Sequence, residues 1–168
     1  MRTALALRPV LLFLALLGFA ANCQAENNCP WLNEATAGGL LGGDAVGEFA
    51  AASVGQPAVC TFTQTGASFT RTLRITVEQT PDTHVRLESA AQACGKDAVS
   101  LRAIGNEASM CTLESRNPGL SELVVGRVRD HLFTITVATT LKNDPILTRE
   151  TMKDKANTAA EQVAGNLF

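Results

Sequence analysis

The chain has 168 residues, a formal charge of −2, 46% hydrophobic residues, five cysteines, one tryptophan and no tyrosine. That size holds one modest domain, and the composition is too apolar and too sparsely charged for a disordered or coiled-coil protein. With 14 basic residues against 16 acidic ones there is no basic excess to neutralise a phosphate backbone, which sets nucleic acid aside as a partner.

Arg2 and Arg8 are the only charges before Glu26, and Val10 to Ala21 is an unbroken run of apolar or small residues. Such a run suits the core of a secretory signal peptide and falls short of the roughly 20 residues that span a bilayer. Residues 1–25 therefore read as a signal peptide, with small residues in Cys23-Gln24-Ala25 at the cleavage positions. A cut after Ala20 is the alternative. Cys23 is also a candidate for lipidation, because Ala20-Ala21-Asn22-Cys23 has the outline of a lipobox, although Asn22 stands where such sites carry a small residue. No second apolar stretch of that kind follows. Residues 26–168 are expected as one exported domain, periplasmic or secreted, with no membrane span and an N-terminal lipid anchor only if Cys23 is modified.

Asn33 can cap a short helix running to Leu41, stopped by Gly42-Gly43. Residues 44–57 are small and Gly/Ala-rich, compatible with a loop or one helical turn. Ala58–Gln64 reads as a strand with Cys60 and Phe62 on one face and Thr61 and Thr63 on the other. After the turn Thr65-Gly66-Ala67, Phe69–Gln79 is the clearest strand. Phe69, Leu73, Ile75 and Val77 share one face, which Arg71 interrupts; Thr70, Thr72, Arg74, Thr76 and Glu78 share the other. The two strands form a hairpin.

Thr80-Pro81-Asp82 predicts a helix start, with Thr80 as cap, and the helix runs to Cys94, where Gly95 stops it. Its inward stripe is Leu87, Ala91 and Cys94. Ile104–Glu107 turns into a strand over Ala108–Leu113, and Asn117-Pro118-Gly119 makes another turn. Leu123–Val128 is apolar on both faces, which predicts a central strand. Arg129-Asp130 reverses the chain into His131–Thr139, where Phe133, Ile135 and Val137 face inward and Thr134 and Thr136 outward. Asp144-Pro145 is expected to open the last helix, whose stripe Met152, Ala156, Ala159, Val163 and Leu167 must lie on the sheet. The expected fold is α+β, in the order α-β-β-α-β-β-β-α: an antiparallel sheet of about five strands with helices on one face only.

Without Cys23 the cysteine count becomes even: Cys29, Cys60, Cys94 and Cys111. Export makes two disulfides the expectation, and no C-x-x-C suggests zinc or redox chemistry. The preferred pairing is Cys29–Cys60 with Cys94–Cys111, each worth roughly 3–4 kcal/mol by loop closure. The alternative joins Cys60 to Cys111 and Cys29 to Cys94.

Cys29-Pro30-Trp31-Leu32 before a helix ending Leu40-Leu41-Gly42, then Val59-Cys60-Thr61-Phe62, Ala103-Ile104-Gly105-Asn106-Glu107-Ala108, Leu123-Val124-Val125 and a long Ala-rich terminal helix form one pattern. It resembles small exported bacterial lipoproteins and secreted proteins of unknown function, frequent in actinomycetes. The resemblance implies an extracytoplasmic α+β domain, in some members similar to sensor modules, and it carries over no catalytic residue.

The sequence holds no phosphate-binding Gly-rich loop, zinc-protease motif, hydrolase elbow or calcium loop, and no cofactor is expected. His84 and Glu88, four apart on a helix, could share a metal; a solvated pair is the plainer reading. His131 and Asp130, as neighbours along a strand, would point to opposite faces and form no dyad. Arg127 and Arg129 could line an anion pocket, or simply be a solvated strand end.

What remains is a surface. Strand parity places Thr61, Thr63, Thr70, Thr72, Arg74, Thr76, Thr134 and Thr136 on the side away from the helices. A flat, rigid, polar face suits a carbohydrate or another protein better than an apolar small molecule, which needs a concave site. The function expected is a non-catalytic extracytoplasmic domain that binds a ligand or protein partner. The alternatives are a structural or accessory protein of the cell envelope, or an enzyme with an unfamiliar site.

Overall fold

The computed structural model describes residues 28–113 and 119–168. The signal-peptide reading, Cys23 and most of the Asn117-Pro118-Gly119 turn lie outside the described residues. Along the described chain run α1 (Glu34–Leu41), β1 (Val46–Ala50), β2 (Ala58–Thr65), β3 (Thr70–Gln79), α2 (Thr83–Ala91), β4 (Val99–Leu101), β5 (Glu107–Leu113), β6 (Leu120–Val128), β7 (His131–Thr139) and α3 (Arg149–Leu167). The strands form one antiparallel sheet in the order β1-β2-β3-β7-β6-β5-β4. The fold is α+β, as the strand and helix periodicities imply, but the sheet has seven strands rather than five.

The two additional strands are its edges, and both are short. In β1 Val46 and Phe49 are the only strong strand formers, with Gly47 and Glu48 between them, so little in the local sequence distinguishes it from a loop. Pairing decides it: Phe49 lies opposite Cys60 and Gly47 opposite Phe62, which lays β1 along β2. The Gly47 amide, which points away from β2, donates to Glu34 Oε1 at 2.6 Å. That carboxylate occupies an edge group that could otherwise pair with a second chain.

Helix ends follow local chemistry where it is unopposed. Asn33 Oδ1 accepts from the Thr36 amide at 2.8 Å and starts α1. Gly42 ends it at φ 85°, a left-handed conformation that costs glycine nothing. Two expected starts move. Asp82, not Thr80, is the residue before α2, and Thr148, not Asp144, caps α3 by accepting from the Thr151 amide at 3.2 Å. The helix expected to reach Cys94 also ends earlier, at Ala91. From there the chain tightens into 3₁₀ turns over Gln92–Asp97, broken at Gly95 (φ 57°).

Helices cover both faces of the sheet, not one. Against one face α1 and α3 enclose the main core, in which Phe62, Leu73, Ile75, Val124, Phe133 and Ile135 meet the α3 stripe. Met152 and Val163 in that stripe are 1% and 0% exposed. On the opposite face α2 and the 3₁₀ turns pack on β5, β6 and β7 through Leu87, Cys94, Cys111, Leu123, Val125 and Leu132. This second cluster explains why β6 is apolar on both sides.

Cys29 is bonded to Cys60 and Cys94 to Cys111. The first bridge ties the segment ahead of α1 to β2. The second ties the 3₁₀ extension that follows α2 to β5.

Candidate functional site

Because α2 stands over β5, β6 and β7, the remainder of that face, on β1, β2, β3 and part of β7, is left without a covering helix among the described residues. Cross-strand register fixes its layout. Thr63, Thr72 and Ala138 form one row across β2, β3 and β7; Thr61, Arg74 and Thr136 form the next; Val59, Thr76 and Thr134 form the third. Arg74 is thus the central position, with threonine on both sides across the sheet and at both next positions along β3. Glu48 on β1 continues its row beyond Thr61.

The threonines here are half-buried and Arg74 is exposed. Within the described residues none of the hydroxyls of Thr61, Thr63, Thr72, Thr76, Thr134 and Thr136 makes a hydrogen bond, and Arg74 makes neither an ion pair nor a side-chain hydrogen bond. Thr70 closes the end of the face, its amide donating to Thr140 Oγ1 at 3.0 Å while its carbonyl accepts from the Thr140 amide. The face is therefore held by a continuously paired backbone and lined by donors and acceptors directed at solvent.

The other ionisable clusters hold one another. Arg71, on the opposite face of β3 from Arg74, is 2% exposed. It grips Asp144 with two parallel hydrogen bonds of 2.8 and 2.7 Å and also donates to the Leu41 carbonyl and to Gln64 Oε1. Its guanidinium lies 4.3 Å from the Phe69 ring centre. Asp144 accepts further from Thr139 Oγ1 and from the Ile146 and Leu147 amides. Burial pushes the Asp144 carboxyl up, but the hydrogen bonds from Arg71, the Leu147 amide, Thr139 and the Ile146 amide outweigh it and hold the group well below the usual carboxylate range. This knot joins the end of α1, β3, β7 and the approach to α3.

His84 lies 3.6 Å from Glu88 and 3.4 Å from Glu107, all three well exposed. Among the described residues no group of three or more His, Cys, Asp or Glu is arranged to hold a metal. Glu107 is paired at 2.8 Å with Arg127, whose hydrogen bond lowers its pKa. Arg129 faces the Phe168 ring at 5.8 Å, so the two arginines do not converge on a pocket. Asp130 and His131 do approach, with Oδ1 and Nδ1 3.0 Å apart. Strand alternation does not separate them because Asp130 sits in the two-residue turn before β7, beside Arg129 at φ 54°. The Asp130 carboxyl is held below its usual range, first by the Gln79 side-chain hydrogen bond and in smaller part by His131. In the Ile104–Glu107 turn, Ile104 is buried in the main core and the Asn106 amide and side chain are bonded to the Arg127 carbonyl and the Arg129 amide. That turn offers no free surface comparable to the threonine face.

Glu122 is a residue the sequence reading passed over. It lies on β6 facing α3, is 1% exposed, and accepts from Thr112 Oγ1 at 2.9 Å through one oxygen while the other has no partner among the described residues. Burial raises its pKa against the opposing pull of Thr112, Lys153 and Arg149. A carboxyl that holds its proton more tightly when folded supports the fold most below its unfolded pKa and loses that support as pH rises through the folded value. Glu122→Gln is therefore expected to be more stable than wild type at pH 7 by on the order of 1 kcal/mol, with the difference closing toward pH 4. Thermal melts across that range read it; equal melting points at pH 7 would contradict the cost assigned to the ionised group.

Two concave spaces among the described residues lie away from the threonine face. One of about 260 Å³ is bounded by Cys29, Leu32, Glu34, Gly47 and Phe62, and one of about 550 Å³ by Leu120, Lys142, Pro145 and Arg149. No protein-family model matches the chain, and no curated protein or solved structure matches it either.

Proposed function

We propose that this chain is an exported, non-catalytic binding domain whose recognition surface is the open threonine face of β2, β3 and β7. The observation that carries the reading is the layout of that face: six threonine hydroxyls without partners among the described residues surround or flank an exposed Arg74, itself unpaired among them, on a backbone held by continuous strand pairing. Two disulfides and the absence, among the described residues, of a helix long and apolar enough to cross a membrane accord with work outside the cytoplasm. So does the resemblance to small exported bacterial proteins. The non-catalytic reading draws support from the buried ion pair, because Arg71 and Asp144 saturate each other and have no group left over for a substrate. Cleavage after Ala25, or lipidation at Cys23, belongs to the same proposal.

Immobilised wild-type protein is expected to retain a component of a cell-envelope extract that the double variant Thr72→Glu/Thr76→Glu does not retain. Both positions are solvent-facing, so folding should stay within about 1 kcal/mol of wild type. Equal retention by a correctly folded double variant would remove the face from the proposal.

A further inference from the structure

We propose that the centre of the open face is an anion subsite built on Arg74, and that its ligand is an acidic, carboxylate-bearing polysaccharide; this rests on the face being a recognition surface. β3 carries two arginines on opposite faces. Arg71 is neutralised in the core by Asp144, whereas Arg74 is exposed and has no partner among the described residues. The remaining acid on the outer side of β3, Glu78, is held by Arg86 of α2 at 2.8 Å and is not available to Arg74. Glu48 shares its row, but two strands away, or about 10 Å at ordinary strand spacing. The centre of the face is thus locally cationic, although the exported chain carries more acidic than basic residues.

The surroundings of that charge select the partner. Thr61 and Thr136 stand directly across, about 5 Å away at the Cβ atoms, and Thr72 and Thr76 about 7 Å along the strand. A guanidinium offers up to five donors in a planar fork suited to a carboxylate, and each hydroxyl can donate or accept. Sugar hydroxyls have the same dual character, so a uronate unit places its carboxylate on Arg74 and its ring hydroxyls on the threonines. An acidic protein fits less well. Protein interfaces are anchored by aromatic and apolar groups in a desolvated centre, and this grid contributes only Val59 and Ala138. Backbone pairing with a peptide is closed off as well, because β2, β3 and β7 are interior strands.

Affinity electrophoresis of the disulfide-bonded protein through polygalacturonate, fully methyl-esterified polygalacturonate and poly-L-glutamate tests this. Retardation is expected in polygalacturonate alone, fading as salt rises. Arg74→Gln should weaken it about tenfold or more, the scale of losing a hydrogen bond to a charged group, and Arg74→Lys should fall between. Equal retardation by the esterified polymer, equal retardation by poly-L-glutamate, an unaffected Arg74→Gln or no retardation in polygalacturonate would each overturn the inference. The broader reading of the face fails separately, when Thr72→Glu/Thr76→Glu leaves retention of the envelope component intact.

Discussion

Asp144→Ala is expected to lower folding stability by about 3–5 kcal/mol, read as a lower urea midpoint with an unchanged slope. The cost comes less from the lost attraction than from what stays behind. Arg71 would remain 2% exposed with its charge uncompensated, and the Thr139 hydroxyl and the Ile146 and Leu147 amides would lose their acceptor together. Removing both charges at once, as Arg71→Met/Asp144→Leu, should cost less than the single change, because an apolar pair needs no partner. The pH dependence has a definite sign. Asp144 binds its proton more weakly folded than unfolded, so its contribution is complete above the ordinary carboxylate pKa and is lost as pH falls below it. Wild type should therefore weaken in acid below about pH 4, and Asp144→Ala should weaken less there. A single variant as stable as wild type would mean that the knot does not hold α1, β3 and the approach to α3 together.

Val163→Asp is expected to cost about 4 kcal/mol or more. Val163 is fully buried in the C-terminal half of the α3 stripe, between the helix and the sheet, with Ala159, Ala160 and Ala164 as buried neighbours on its own helix. An aspartate there loses its hydration without gaining a charged partner in that stripe. Val163→Ala, which only removes two methyl groups, should cost far less. The deficit of the aspartate variant should narrow in acid, where protonation removes the charge. Melting of the variant at the wild-type temperature would mean that α3 does not seat on the sheet.

Both variants bear on elements that differ in how plainly the chain announces them. The α3 stripe at Met152, Ala156, Ala159 and Val163, the alternation in β3 and β7 and the caps of α1 are local patterns, and the structure has them. The Arg71–Asp144 pair is not local: its members are 73 positions apart. Within its own segment Asp144 looks like a helix cap, and Arg71 looks like a fault in an apolar strand face. Each makes sense only through the other.

The sequence by itself determined the α+β class, the parity that places Thr72, Arg74, Thr76, Thr134 and Thr136 on one side, and the four cysteines, Cys29, Cys60, Cys94 and Cys111, that can pair. These follow from periodicities of two and 3.6 residues and from side-chain chemistry, both carried by near neighbours. Tertiary structure decided the edge strands β1 and β4, which are too short and too weakly patterned to form except against β2 and β5. It also decided which side of the sheet each helix covers. The apolar residues on both sides of β6 demanded cover on both faces, yet placing α2 on the second face required Leu87 and Cys94 to meet Leu123, Val125 and Cys111 across the chain. Among the described residues that placement leaves the threonine face open, because α2 covers β6 and part of β7 and no helix covers that side of β2 and β3. Whether a polar strand face meets solvent or a helix depends on packing between segments distant in sequence, and no local pattern encodes it.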